Sequence, residues 1–333
     1  MGIFSRKPNI KKLKEKRDIE GLMEAAKQVS IHVYEKARHA LQDIIDESEA
    51  AGDVETITKI YQAAMAHSVS SVRAGAIRSL AKIKDKGAVE PLIETLRDPM
   101  CPSDVTAGEI IPALGDINDE RAVKPLIEVF SRKYVYFDPQ RDSSYFLRNL
   151  AVEALAKMKE KAVGPLIEAL LHPEDWNVGD DSTVWDVRRY AARALCENKD
   201  KSMVEPLIRL LKDRESNEKL RHKLYEGLRE IDIMIYSGKT KDEIAAELLG
   251  QLHTDIIGAL GTTKDERAVE PLVEILEKGE DIILRQCAAL ALGEIGDERA
   301  VEPLNRIVKG EASDSSFCSV AEEALKKIHG ERG

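Results

Sequence analysis

"GDERAVEPL", residues 296–304, opens like a helix yet puts Pro303 where an interior helical turn would lose a hydrogen bond. Nearly the same string recurs as "KDERAVEPL" at 264–272 and "NDERAVKPL" at 118–126. A proline is harmless in the first helical turn, where its missing N–H would have had no intrahelical partner. Pro303 and its equivalents therefore stand near a helix start. Asp297, Asp265 and Asp119 before them end a tight turn and can offer a carboxylate to free N–H groups at the positive end of the helix dipole.

Aligning the chain on its prolines makes Pro91, Pro125, Pro165, Pro206, Pro271 and Pro303 equivalent, and internal repetition of this kind decides a fold. About eleven residues before each stands a leucine: Leu80, Leu114, Leu155, Leu195, Leu260 and Leu292. Directly after it comes a small residue: Ala81, Gly115, Ala156, Cys196, Gly261 or Gly293. Upstream of the leucines, "VRAGAIRSLAKI" (72–83), "LRNLAVEALAKM" (147–158), "VRRYAARALCEN" (187–198) and "LRQCAALALGEI" (284–295) have helical apolar spacing. Downstream of the prolines, "PLIETL", "PLIEAL", "PLIRLL" and "PLVEIL" place one apolar stripe on a second helix. Each unit reads as an antiparallel helical hairpin. One hairpin cannot cover its own flanks, so neighbours must stack.

With the wording "ALGEIGDERAVEPL" recurring, the units resemble HEAT repeats of the short subclass named after the phycobilin lyases, and the chain is similar to the HEAT-repeat proteins common in archaea. The resemblance covers most of residues 9–329. It implies an all-α fold, a right-handed α-solenoid of stacked antiparallel hairpins. Residues 1–29 are expected to form a basic arm and an N-terminal capping half-repeat, and 30–308 the repeat array. Insertions fall at about 131–146 and 172–184, with an additional helix at 217–237. Residues 309–333 supply a C-terminal capping helix, in which Lys326 occupies the small-residue column, as suits an end with no further neighbour. Pro112, inside "VTAGEIIPALGDI", should kink or shorten its helix.

Composition agrees with many thin layers: 333 residues, 33% charged and 5% aromatic. Abundant Lys and Glu with scarce Asn, Gln and Cys give a thermophile-like balance. The net charge of −10 hides an asymmetry, since seven Lys or Arg against one Glu in residues 1–17 leave −16 for the remainder. No apolar run has the length of a membrane span and the N-terminus lacks a secretory pattern, so a cytoplasmic protein without a membrane partner is expected. Cys101, Cys196, Cys287 and Cys318 are too far apart for a zinc or dithiol pair, and no metal or other cofactor is expected.

Three features bear on function. Arg73, Arg148, Arg188 and Arg285 stand seven residues before the repeat leucines; in the resembled family such arginines pair with acids of adjacent layers rather than with phosphates. Positions one before and three after each proline lie one turn apart and escape burial. They read Glu90, Glu94; Lys124, Glu128; Gly164, Glu168; Glu205, Arg209; Glu270, Glu274; Glu302, Arg306, so acids outnumber bases eight to three. The resemblance puts those helices on the concave side, where this charge repels nucleic acid and favours a basic partner segment. Third, nine of fifteen aromatics (Phe130, Tyr134, Tyr136, Phe137, Tyr145, Phe146, Trp176, Trp185 and Tyr190) fall between 130 and 190. Aromatic-rich loops on a rigid scaffold are where recognition concentrates. The partner-contacting residues are expected among Tyr134, Tyr136, Phe137, Trp176 and Trp185, and among Glu90, Glu94, Glu128, Glu168, Glu205, Glu270 and Glu274.

Catalytic patterns are missing: the chain has no GxSxG, phosphate-binding glycine loop or HExxH. His39 with Asp43 and His222 with Glu226 are read as surface contacts. The leading expectation is a non-enzymatic scaffold for protein–protein interaction. Enzyme relatives are the alternative. Deoxyhypusine hydroxylase has similar repeats and holds two irons through His-Glu dipeptides, of which this chain has none; phycobilin lyases share only the repeat. A third reading is nucleic-acid binding through the basic arm (Arg6, Lys7, Lys11, Lys12, Lys14, Lys16, Arg17). The oligomeric state is open.

Overall fold

The computed structural model describes residues 8–27, 30–98, 104–132, 143–176, 184–212, 240–311 and 315–330. Among them the protein is all-α, with no strand. The chain divides into two compact units, 1–158 and 159–333.

Unit 1 contains α1 (Ile10–Glu15), α2 (Ile19–Ala26), α3 (Ile31–Ala51), α4 (Val54–Ala66), α5 (Ser70–Ile83), α6 (Val89–Arg97), α7 (Asp104–Ile117), α8 (Val123–Glu128) and α9 (Ser143–Lys157). Unit 2 contains α10 (Glu160–Leu171), α11 (Val184–Asn198), α12 (Val204–Lys212), α13 (Lys241–Thr263), α14 (Val269–Lys278), α15 (Ile282–Ile295), α16 (Val301–Arg306) and α17 (Ser315–Ile328). Long first helices pack in series, α3 on α5 on α7 on α9 in one unit and α11 on α13 on α15 on α17 in the other. Shorter second helices fill the gaps between layers, as α6 does against α7 and α14 against α15. Each helix meets its neighbours in sequence and little else, which is the solenoid principle.

The repeated string behaves as its residue types dictate. Asp85, Asp119, Asp200, Asp265 and Asp297 each accept a hydrogen bond from the backbone N–H two residues on, closing a single 3₁₀ turn. The α-helix begins directly after it, so Pro91, Pro125, Pro206, Pro271 and Pro303 are third residues of their helices. The residue before each Asp carries positive φ: Lys84, Asn118, Lys199, Lys264 and Gly296. One layer departs. Lys159 stands where the others have Asp, takes φ 53° itself, and α10 starts at Glu160 without the 3₁₀ turn, leaving Pro165 inside the helix.

The repeat leucines Leu80, Leu114, Leu155, Leu195, Leu260 and Leu292 are all buried. Burying a leucine fully contributes roughly 1.5–3 kcal/mol, and this column repeats that gain layer by layer. The small residues beside it set how closely first helices approach. A Cβ on Gly115, Gly261 or Gly293 would lie 2.7, 2.9 or 2.8 Å from the Cα of Ala154, Ala291 or Ala324 in the next layer. Cys196 holds the same column, its thiol directed at the Asp255 carbonyl 3.7 Å away; burial pushes that thiol up to about 12. Lys326 is exposed. Pro112 does not shorten its helix: α7 has 14 residues, as do α5 and α15. The segment 217–237 lies outside the described residues, as does Cys101.

Candidate functional site

The second-helix row is exposed as its spacing requires, with one exception. Glu90, Glu94, Lys124, Gly164, Glu168, Glu205, Arg209, Glu270, Glu274, Glu302 and Arg306 face solvent. Glu128 does not: it is 6% exposed and accepts two hydrogen bonds from Arg97 of the preceding layer, at 2.9 and 3.0 Å. α8 ends at this residue, and the tight turn that follows returns Arg132 onto the carbonyls of Leu96 and Arg97. The carboxylate is thus enclosed by a layer junction and withdrawn from any partner.

Much of the remaining charge is engaged between layers. Arg121 holds Asp119 with two N–H groups, reaches Glu90 of the preceding layer at 2.9 Å, and donates to the Lys86 carbonyl there. Arg267 holds Asp265 and donates to the Lys201 carbonyl; Arg299 holds Asp297, donates to the Glu266 carbonyl and lies 3.7 Å from Glu270. All three carbonyls occupy one repeat position, five before the proline. Asp-x-Arg is therefore both a helix-start signal and a staple onto the layer before. The Arg partners hold the Asp119 and Asp265 carboxyls down to about 2. A second register pairs Lys212 with Glu274 at 3.9 Å and Arg306 with Glu277. Glu94, Glu168 and Glu205 make no ion pair among the described residues.

The arginine column is internal, and its described partners include backbone carbonyls as well as acids. Arg188 donates to the Leu170 carbonyl and Arg285 to Leu276, each at the end of the preceding second helix, and Arg148 to Arg132, in the turn after α8. Arg73 engages an acid, Asp98, which closes its own hairpin, and Glu174 acts on the charge of Arg188. Helix C-termini end in carbonyls lacking intrahelical donors, and a guanidinium there also meets the negative end of the dipole. Burial pushes Arg188 down to about 10. His253 and Cys318 occupy this column in other layers. Cys318 reaches the Ile307 carbonyl at 3.6 Å.

The aromatics separate into two kinds. Phe130 and Tyr190 are buried, Tyr190 beneath the Arg189 guanidinium at 4.8 Å. Tyr145 and Phe146, in the first turn of α9, are 55% and 56% exposed. Trp176 is half-buried on the 3₁₀ turn Pro173–Trp176. Tyr134, Tyr136 and Phe137 lie outside the described residues, as does the side chain of Trp185. Tyr145 and Phe146 take the same repeat positions as Ile282 and Ile283, which are also exposed. Sequence reasoning counted Tyr145 and Phe146 without selecting them. Comparison with Ser70 and Ser71 in the equivalent place of α5 would have marked them as large apolar residues where that layer is polar.

The basic arm is partly folded onto acids: Lys14 contacts Asp43 at 2.7 Å, and Arg17 contacts Glu47 at 3.2 Å. That takes Asp43 away from the exposed His39. His222, Arg6 and Lys7 lie outside the described residues. Among the described residues no group of His, Cys, Asp and Glu is arranged to hold a metal, and no helix is long and apolar enough to cross a membrane.

The family model for HEAT repeats matches residues 57–135 and 254–326, and that for the PBS lyase HEAT-like repeat matches 187–213. No curated protein matches the chain. Among solved structures, human deoxyhypusine hydroxylase in complex with glycerol is 18% identical over 97% of this chain and 99% of that one, with a TM-score of 0.32. An engineered protein is 19% identical over 94% and 97%, with a TM-score of 0.27. With the helical hairpins, the capped proline turns and the small-residue column in place beneath these matches, the chain belongs to the HEAT-repeat proteins.

Proposed function

We propose that this helical repeat protein is a non-enzymatic scaffold that binds another protein, using its exposed second-helix row and the aromatics near residues 134–185. HEAT repeats generally serve protein–protein interaction, which supports the class of function. The single observation that carries the reading is the exposed aromatic pair Tyr145–Phe146, held on a rigid helix in the chain's aromatic-rich region. Tyrosine and phenylalanine in such a setting supply large contact area at low entropic cost. The row contributes Glu94, Glu168 and Glu205 as exposed acids without an ion pair among the described residues, and Glu90, Glu270 and Glu274 as exposed acids already facing Arg or Lys. A partner with basic segments fits this balance. Lys14 and Arg17 are neutralised by α3, which speaks against the arm as a nucleic-acid contact. A cytoplasmic location is part of the proposal.

The test is quantitative affinity capture from the native host with three proteins: the native chain, Glu94→Lys with Glu168→Lys and Glu205→Lys, and Tyr145→Ala with Phe146→Ala and Trp176→Ala. Partners enriched by the native chain should fall at least about tenfold with either variant, the loss of roughly 1.4 kcal/mol or more, while helical ellipticity is unchanged. Partners retained by both variants would remove the surface from consideration.

A further inference from the structure

The end of α4 carries an arrangement that none of the contacts above accounts for. His67 caps α4, its backbone N–H bonded to the Ala63 carbonyl and the chain turned by Ser68 at φ 56°. Its imidazole is mostly enclosed, at 14% exposure, between two carboxylates of α2. Nε2 lies 2.9 Å from Glu20 and Nδ1 3.5 Å from Glu24. The two glutamates are one helical turn apart and embrace the ring from either side.

Elementary hydrogen-bond chemistry distinguishes the two forms of this ring. A neutral imidazole has one N–H and one lone pair, so between two carboxylates it donates to one and turns its lone pair on the other. An imidazolium donates to both. The negative end of the α4 dipole adds to the preference for the charged form. α2 has eight residues, too few to persist without docking. It lays Leu22, Met23, Ala25 and Ala26 against the rest of unit 1, and the His67 clamp bridges it to α4.

We propose that His67 is a proton-operated latch on the N-terminal helix α2: protonation closes it on Glu20 and Glu24, and loss of the proton loosens α2 from α4. The other charged or titratable groups near Glu20 and Glu24 have partners of their own: Asp18 caps α2 at the Gly21 N–H, and Arg17 and Lys59, which line the pocket beside Glu20, pair with Glu47 and Glu55. Lys27 of α2 shares Glu24 at 3.3 Å, Glu35 and Arg38 of α3 pair with each other, and Arg73 of α5 is turned to Asp98 and to the Met65 sulfur. His32, in the first turn of α3, is exposed. The two carboxylates favour the charged ring in the closed form more than in the loosened one, so gain of the proton holds α2 more firmly.

Native-state amide exchange of the full chain tests this, comparing about pH 8 with about pH 5.5, above the range where carboxylates take up protons, after correction for intrinsic rates. Protection of Leu22, Met23, Ala25 and Ala26 should rise about threefold to tenfold relative to α15 on going to the lower pH, and the His67 ring resonances should titrate over the same interval. In His67→Gln, which keeps one hydrogen bond but takes no charge, the relative protection should be flat with pH. In Glu24→Gln the rise should shrink. A native profile as flat as that of His67→Gln, or protection that falls at the lower pH, overturns the proposal. A variant with lost helicity is replaced by the ring titration in Glu20→Gln and Glu24→Gln, where an unmoved midpoint is likewise contrary.

Discussion

Single atoms decide the fit between layers. At Gly261 an added Cβ would meet the backbone of Ala291 at 2.9 Å, so Gly261→Ala must force two first helices apart. Its cost should be about 1–3 kcal/mol, read from urea denaturation, the range for overpacking a rigid contact. Gly164, exposed in α10 with nothing within 4 Å of a new Cβ, should respond with the opposite sign. Gly164→Ala should gain roughly 0.5–1 kcal/mol from helix propensity. Asp265, held at about 2 by its hydrogen bonds to Arg267, stabilises the fold above its unfolded-state value and loses that contribution as pH falls from about 4 to about 2. Asp265→Asn should flatten acid denaturation in that window. Asp255 has the reverse character: burial raises its carboxyl, so its ionised form opposes folding at neutral pH. Asp255→Asn should raise the thermal midpoint at pH 7 and leave it unchanged where the native carboxyl is already protonated.

At the scale of elements, what could be read from the residues was whatever depends on near neighbours in sequence. Helix identity followed from apolar spacing, the proline turn from the rule that a first helical turn has spare N–H groups, and Cys196 from its place in a column of small residues. The aspartate caps needed only a carboxylate two residues before its donor. Contacts between layers were less legible because their partners are backbone groups, identical in every residue type. Nothing in "DER" says that its arginine will cross to the carbonyl of Lys201 or Glu266, and nothing in Arg188 or Arg285 names Leu170 or Leu276. Glu128 was misread for a related reason: its exposure depends on where α8 stops, and the turn through Ser131 has no strong marker. The staple makes a specific claim. Arg299→Lys keeps the charge but loses the forked geometry that binds Asp297 and the Glu266 carbonyl together. It should cost about 0.5–1.5 kcal/mol and lower the exchange protection of α16 more than that of α13.

Across the molecule, repetition means that stability is a sum over layers and their junctions rather than the property of one core. The proposed functions rest on departures from the repeat, such as the exposed aromatic pair Tyr145 and Phe146, or His67 between two glutamates. The most direct measurement of the layered account removes one layer whole. Deleting residues 265–296 joins Lys264 to Asp297, which replaces the equivalent Asp265, and sets Gly261 opposite Ala324 in place of Ala291. Circular dichroism and urea denaturation of that shortened chain should show a cooperatively folded helical protein of the same ellipticity per residue, less stable by no more than a few kcal/mol. A chain that loses its helicity or its unfolding transition would contradict the account, because a shared core, not a series of layers, would then be holding the protein together.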